Sequence, residues 1–190
     1  MLYSQKPILI WFTGLPGSGK SAIAKGLEFK LAQLGFSTYL LDENKLKNGL
    51  NSDLGKSTPE YIESSRRIGE VAVLMIQAGL IVIVCAVSPS KKQREEVMKK
   101  VGQLNFVEVY LDRTTPFNKV EAVNELDYQD LSQSDLEVIV FEEPDQPDFH
   151  GQTTDEDHGA IIQKLVDLVF PKVNIGNQVS SFSPYTFLIV

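Results

Sequence analysis

The run Gly14-Leu15-Pro16-Gly17-Ser18-Gly19-Lys20-Ser21 constrains this chain more than any other segment. It fills every fixed position of G-x-x-x-x-G-K-[ST], a loop whose backbone N–H groups cradle phosphate oxygens. The apolar run Ile8-Leu9-Ile10-Trp11-Phe12 comes immediately before it, and a helix-like stretch follows from Ser21. A strand, a glycine-rich turn and a helix N-terminus in that order concentrate positive potential on one point. Lys20 is placed to reach the β- and γ-phosphates of a nucleotide, and the Ser21 hydroxyl to ligate Mg²⁺. A plain turn would not need a lysine and a serine at these two places, so a mononucleotide site is expected.

Beyond the loop, short buried-type strands alternate with helical patterns, the signature of a parallel sheet covered by helices. The expected strands are Ile8–Thr13, Ser37–Leu41, Leu80–Val87 and Phe106–Leu111. The first helix runs to about Leu34 with Gly35 as its C′ residue. A second starts with Thr58 as N-cap and Pro59 at the first helical position, and stops at Gly79. Ser88-Pro89 opens a third that reaches Val101, and Gly159–Phe170 carries a fourth apolar face. Glu137–Phe141 reads as a strand or a docked loop, and Glu142–Asp157, rich in Pro, Asp and Glu, as irregular surface. The fold expected is a three-layer α/β arrangement of the P-loop nucleoside triphosphate hydrolase type, with a mainly parallel central sheet. The 190 residues form one domain in this reading, with a lid-like segment over 113–145 and a tail over 171–190. The tail ends in Phe187-Leu188-Ile189-Val190, an apolar stretch suited to docking on the parent domain or, in a homodimer, on a partner subunit.

Composition narrows the partners. A net charge of −7 argues against nucleic acid or an anionic membrane. No apolar stretch approaches the ~20 residues of a membrane span. The N-terminal residues lack a secretion signal, so a cytoplasmic location is expected. The lone Cys85 excludes a disulfide framework and reads as a buried strand residue. His150 and His158 lie in an Asp-rich stretch without a recognised metal-ligand spacing, and read as solvated loop.

The motifs that follow the phosphate loop carry a family resemblance. Leu40-Leu41-Asp42, Asn48-Gly49-Leu50-Asn51, Asp53-Leu54-Gly55, Arg66-Arg67-Ile68-Gly69-Glu70-Val71-Ala72, Gly79–Val84, Ser88-Pro89 and Phe106–Tyr110 occur in order. From about Ile8 to Leu111 the chain resembles the adenylyl-sulfate kinases, which use Mg·ATP to phosphorylate the ribose 3′-hydroxyl of adenosine 5′-phosphosulfate (APS). Glu142-Glu143-Pro144 echoes a further stretch of that family. The resemblance implies ATP and Mg²⁺ as ligands and a small-molecule acceptor. It implies catalytic roles for Lys20 and Asp42 and places Asp42 with Ser21 at the metal, orienting Mg²⁺ through water or the acceptor, or accepting the acceptor's proton. Asn44, Lys47, Ser64, Arg66 and Ser88 fall where the family holds its acceptor.

The departures gather on that acceptor side. Where the family's second strand ends in Asp-Gly-Asp, this chain reads Asp42-Glu43-Asn44. An amide at position 44 cannot take a proton, and general-base help is typically worth ~10²–10⁴-fold. Lys47 stands for an arginine and loses its bidentate fork. Tyr61 and Ser64 stand for an Arg and an Asn, and Lys56 for a base-stacking Phe. Together these changes point to a changed acceptor or to relaxed selection. The family's basic lid is here the acidic run Val120–Ser134, and no arginine follows Arg113. An acidic lid leaves transition-state charge without its usual clamp. Two functions therefore stand: a phosphotransferase of this type acting on APS or a related small acceptor, and an ATP-binding regulatory module with lost or weak transfer.

Overall fold

The computed structural model describes residues 5–113, 139–153 and 157–175. Its elements run β1 (Leu9–Thr13), α1 (Lys20–Gln33), β2 (Thr38–Asp42), α2 (Glu43–Leu46), α3 (Thr58–Gln77), β3 (Ile81–Cys85), α4 (Lys91–Val101), β4 (Phe106–Asp112), β5 (Phe149–Gln152) and α5 (His158–Val173). The strands form one five-stranded sheet in the order β2-β3-β1-β4-β5, and every pairing is parallel. Such a sheet is buried on both faces, which is why β1 and β3 are continuous apolar runs.

Alternation along β1 assigns the two layers. Ile8, Ile10 and Phe12 pack with Ile23, Leu27 and Leu31 of α1 and Ile161, Leu165 and Val169 of α5. Leu9 and Trp11 face the opposite way, against Ile68 and Ala72 of α3 and Val97 of α4. Gly26 lets α1 and α5 approach, since a Cβ there would sit 2.2 Å from the Ile162 Cδ1. Register brings the strand ends to one edge: Asp42 lies opposite Cys85, and Cys85 opposite Phe12. That edge is where open parallel sheets place their ligand crevice.

The structure agrees with the parallel sheet and with Gly35 and Gly79 just past their helices, at φ 87° and 88°. Cys85 is buried in β3, as its apolar surroundings imply. Several boundaries differ. The N-cap of α3 is Ser57 rather than Thr58, because Glu60 reaches back from the third helical position to the Ser57 N–H and hydroxyl. The helix expected to open at Ser88-Pro89 begins at Lys91, leaving both residues buried at the sheet edge. The stretch 142–157 is not wholly irregular: Phe149–Gln152 adds β5 to the edge of the sheet. Its four residues, with one glycine and no β-branched side chain, carry almost no strand signal. Helix α5 runs through Pro171 to the buried Val173, three residues into the expected tail. The lid-like run Val120–Ser134 and the apolar C-terminus lie outside the described residues. Among the described residues, no helix is long and apolar enough to cross a membrane.

The α5 layer is held by side chains such as Leu165, which is fully buried against α1 and the sheet. Leu165→Ala is expected to lower unfolding stability by about 2–5 kcal/mol, read as a reduced midpoint in urea with an unchanged slope.

Candidate functional site

The phosphate loop leaves β1 at Gly14, and its shape depends on glycine at three places. Gly14 has φ 143°, and a Cβ there would lie 2.2 Å from the Leu111 carbonyl oxygen of β4. Gly17 and Gly19 both have φ 79°, in the left-handed region that L side chains avoid. Beside Gly17 the space is open, since a Cβ built there meets nothing within 4 Å. Leu15 turns inward onto Tyr61, Val87, Ile139 and Phe141, while Pro16 is half-buried and Ser18 buried. Residues 139–141 are thus a docked loop that braces the phosphate loop from one side.

Lys20 lies inside the turn. Its ammonium donates to the carbonyls of Gly14 at 2.8 Å and Leu15 at 2.6 Å, and to the Ser18 hydroxyl at 3.1 Å. Burial lowers its pKa from 10.5 to about 8, against the opposing pull of nearby negative groups, Glu43 and Asp42 among them. No side chain caps α1 and no acid stands in its first turn, which leaves that helix end to an anion. The Ser21 hydroxyl lies 3.5 Å from the Cys85 sulfur. Burial pushes the Cys85 thiol up to about 11, so it stays protonated and unreactive.

On the neighbouring strands the acidic groups converge. Asp42 is buried at the end of β2, and its Oδ1 accepts the Asn44 N–H at 3.1 Å, capping α2. Glu43, the first residue of that short helix, turns inward. Its Oε1 accepts the Ser64 hydroxyl at 2.5 Å and its Oε2 the Val87 N–H at 2.9 Å. Ser64 in turn accepts the Asn51 amide at 2.9 Å. Asn44 points out to solvent. Lys47 places its ammonium 5.8 Å from the centre of the buried Tyr61 ring.

A second network closes the floor. Trp11 Nε1 donates to the Ser88 hydroxyl, Ser88 to the Thr13 hydroxyl, and Thr13 to the Val87 carbonyl, at 2.8–2.9 Å. Ser88 has φ 42°, an uncommon conformation for a side-chain-bearing residue. Its carbonyl accepts Arg94 at 2.7 Å, and Arg94, buried on α4, also holds Glu108 of β4 and the Glu142 carbonyl.

The structure gathers Lys20, Ser21, Asp42 and, through Glu43, Ser64 at the strand ends; Arg66 stands apart, and Ser88 lies beneath the loop. Arg66 is exposed on α3 and pairs with Glu63 and Glu70. Arg67 binds Asp53, Glu63 and the Leu50 carbonyl. The Ser88 hydroxyl is fully buried and committed to Trp11 and Thr13. The histidines do not share a solvated loop: His150 stacks on Tyr110 with centroids 4.7 Å apart, and His158 opens α5. His158 Nε2 and Thr153 lie within 4 Å of a Cβ built on Gly19. Glu43 and Arg94 were not legible as site residues, because each reads in sequence as one surface charge of a polar stretch.

Glycine is required at position 14 by a backbone oxygen that cannot move aside, so Gly14→Ala is expected to abolish nucleotide binding in calorimetric titration. The Lys20 ammonium carries a desolvation cost below pH 8 that is relieved between pH 8 and 10.5. Across that window the free protein gains stability from this group, while affinity for an anionic nucleotide falls. ATP titrations from pH 7 to 9.5 are expected to show binding that weakens above about pH 8, and Lys20→Gln to show weak binding with no such limb.

Comparison with known proteins agrees with this geometry. The adenylylsulphate kinase family model matches residues 6–149. The adenylyl-sulfate kinase of Buchnera aphidicola subsp. Schizaphis graminum is 47% identical over 154 residues, covering 76% of this chain and 71% of that protein. An adenylyl-sulfate kinase of Escherichia coli is 38% identical over 173 residues, covering 88% and 85%. The APS kinase of Mycobacterium tuberculosis, solved in complex with AMPPNP and APS, is 30% identical with a TM-score of 0.73, covering 87% of this chain and 98% of that one. A gluconokinase from Sinorhizobium meliloti, 13% identical with a TM-score of 0.58, shares the fold alone. The chain belongs to the adenylylsulphate kinase family.

Proposed function

We propose that this member of the adenylyl-sulfate kinase family transfers the γ-phosphoryl group of Mg·ATP to a hydroxyl of adenosine 5′-phosphosulfate. The observation that carries this reading is the Lys20 ammonium, held inside a glycine turn beside an uncapped helix end, with two buried carboxylates on the adjoining strand ends. The relative solved with AMPPNP and APS, which covers most of this chain, supports the same pair of ligands.

The loop fits a triphosphate: its left-handed glycines make a concave backbone, and the space beside Gly17 is open. Lys20 would exchange its loop carbonyls for phosphate oxygens, carrying its charge to the group being transferred. The donor set at the metal position is hard oxygen, the Ser21 hydroxyl and the Asp42 carboxylate, which suits Mg²⁺. Among the described residues no three His, Cys, Asp or Glu side chains cluster as a metal site. The ion would therefore share its shell with phosphates and water, the usual arrangement for nucleotide-bound Mg²⁺. When bound it supplies charge neutralisation on the phosphate oxygens.

The buried Asp42 at the strand edge would orient the acceptor or a water of the metal shell. Positioning and electrostatics supply most of phosphoryl-transfer catalysis, so an amide at position 44 need not abolish turnover. Arg66, Ser88 and Ser64 all have committed partners. Lys47, half-buried with its ammonium over the Tyr61 ring, is the favoured acceptor contact, and Ser64 acts through Glu43.

Purified protein incubated with Mg·ATP and APS is expected to form ADP and phosphorylated product in equal amounts. Lys20→Ala is expected to lower that rate by about 10²-fold or more. ATP binding without product from APS would overturn the kinase reading in favour of a nucleotide-binding regulatory module.

A further inference from the structure

Four of the residues that depart from the family pattern on the acceptor side form two contacting pairs. Glu43 stands where the resemblance implies glycine, and Ser64 where it implies asparagine. In the fold the two are bonded, the Ser64 hydroxyl donating to Glu43 Oε1 at 2.5 Å. Lys47 and Tyr61 each stand for an arginine, and the Lys47 ammonium lies over the Tyr61 ring. Decay would leave such positions unrelated to each other; in this network the Asn51 Oδ1 is buried without a partner among the described residues, while its amide and the other groups are engaged. Here Glu43, 5% exposed, has both oxygens engaged, and Ser64, 4% exposed, both donates and accepts.

We propose that Glu43 and Ser64 act as one coupled unit that positions the acceptor wall of this site, a rebuilt wall rather than an eroded one. This rests on the kinase reading above. The unit spans the distance that matters for transfer. Glu43 Oε2 holds the Val87 N–H, and the Val87 carbonyl accepts Thr13, the residue immediately before the phosphate loop. Glu43 Oε1 holds Ser64 on α3, the helix that also carries Tyr61. One carboxylate therefore sets how far α3 stands from the donor-side strand ends. Removing the Glu43 carboxylate leaves the Ser64 hydroxyl and the Val87 N–H without their acceptor, and a larger residue at the buried position 64 crowds it, so either change shifts the wall. Lys20 and the loop glycines keep their own hydrogen bonds, so a change in the unit weighs more on the acceptor than on ATP.

A double-mutant cycle on the full-length protein tests it, with ATP affinity from calorimetry and kcat and KM for APS measured in parallel. Glu43→Gly alone and Ser64→Asn alone are each expected to raise the KM for APS about tenfold, within the coupling range of contacting residues. The double variant carries both residues that the resemblance implies at these positions and is expected to lose less than the two single changes combined, with the Val87 N–H still short of its side-chain acceptor. Glu43→Gln keeps an oxygen for the Val87 N–H but reverses the Ser64 contact, its amide donating to the hydroxyl, and is expected to raise the KM for APS less than Glu43→Gly does. ATP affinity is expected to change several-fold less than the KM for APS throughout. Additive single effects, or ATP affinity falling in step with the KM for APS, would overturn the unit while leaving the kinase reading intact. Should Glu43→Gly fail to fold, Glu43→Gln against Ser64→Ala decides the same point: a Gln variant as impaired as the Ala variant sinks the proposal. Wild-type protein that binds ATP without phosphorylating APS overturns the kinase reading, and the unit with it.

Discussion

A lysine ammonium buried in a loop of its own carbonyls is the constraint to which the rest of this structure conforms. A cation removed from water needs partners on all sides, and here the Gly14 and Leu15 carbonyls and the Ser18 hydroxyl provide them. Those carbonyls turn inward only because Gly14, Gly17 and Gly19 adopt conformations closed to other residues. The turn must in turn be held from below. Trp11, Ser88, Thr13 and Val87 do so with a directed chain of hydrogen bonds linking the ends of β1 and β3. The loop is thus pre-formed around its cation, and a triphosphate would replace contacts that already exist rather than order a mobile segment.

The same strand ends gather the negative charge. Asp42 and Glu43 are consecutive, yet both are buried, because β2 ends at Asp42 and α2 begins at Glu43. The change from extended to helical backbone directs two neighbouring side chains inward and sends Asn44 outward. A reading by spacing alone places the second carboxylate at position 44 and finds an amide there. The fold has a second carboxylate one residue earlier, anchored to α3 and to the end of β3. Arg94 performs a similar task on the other flank, tying α4, β4 and the segment at Glu142 to the Ser88 carbonyl.

Much of the fold was legible in order along the chain. The strand, loop and helix around Gly14–Ser21 involve neighbouring residues, and β1 and β3 announce themselves as unbroken apolar runs. The stops at Gly35 and Gly79 are set by single residues. What escaped were elements with little local signal. Strand β5 exists because β4 offers an open edge to pair with, not because Phe-His-Gly-Gln favours a strand. The start of α3 moved to Ser57 because two adjacent residues can cap a helix and Glu60 bonds the earlier one.

For the site the division is equally physical. Phosphate recognition resides in contiguous residues, since backbone N–H groups, a glycine turn and a lysine are brought together by local geometry alone; the residue string suffices to locate it. The Glu43 carboxylate is held by residues far apart in the chain, Val87 across 44 positions and Ser64 across 21. A buried carboxylate and a solvated one are the same letter in a sequence, and so are a buried and an exposed arginine. Only the packing of α3 and α4 against the sheet turned Glu43 and Arg94 inward, and burial is what makes their hydrogen bonds decisive.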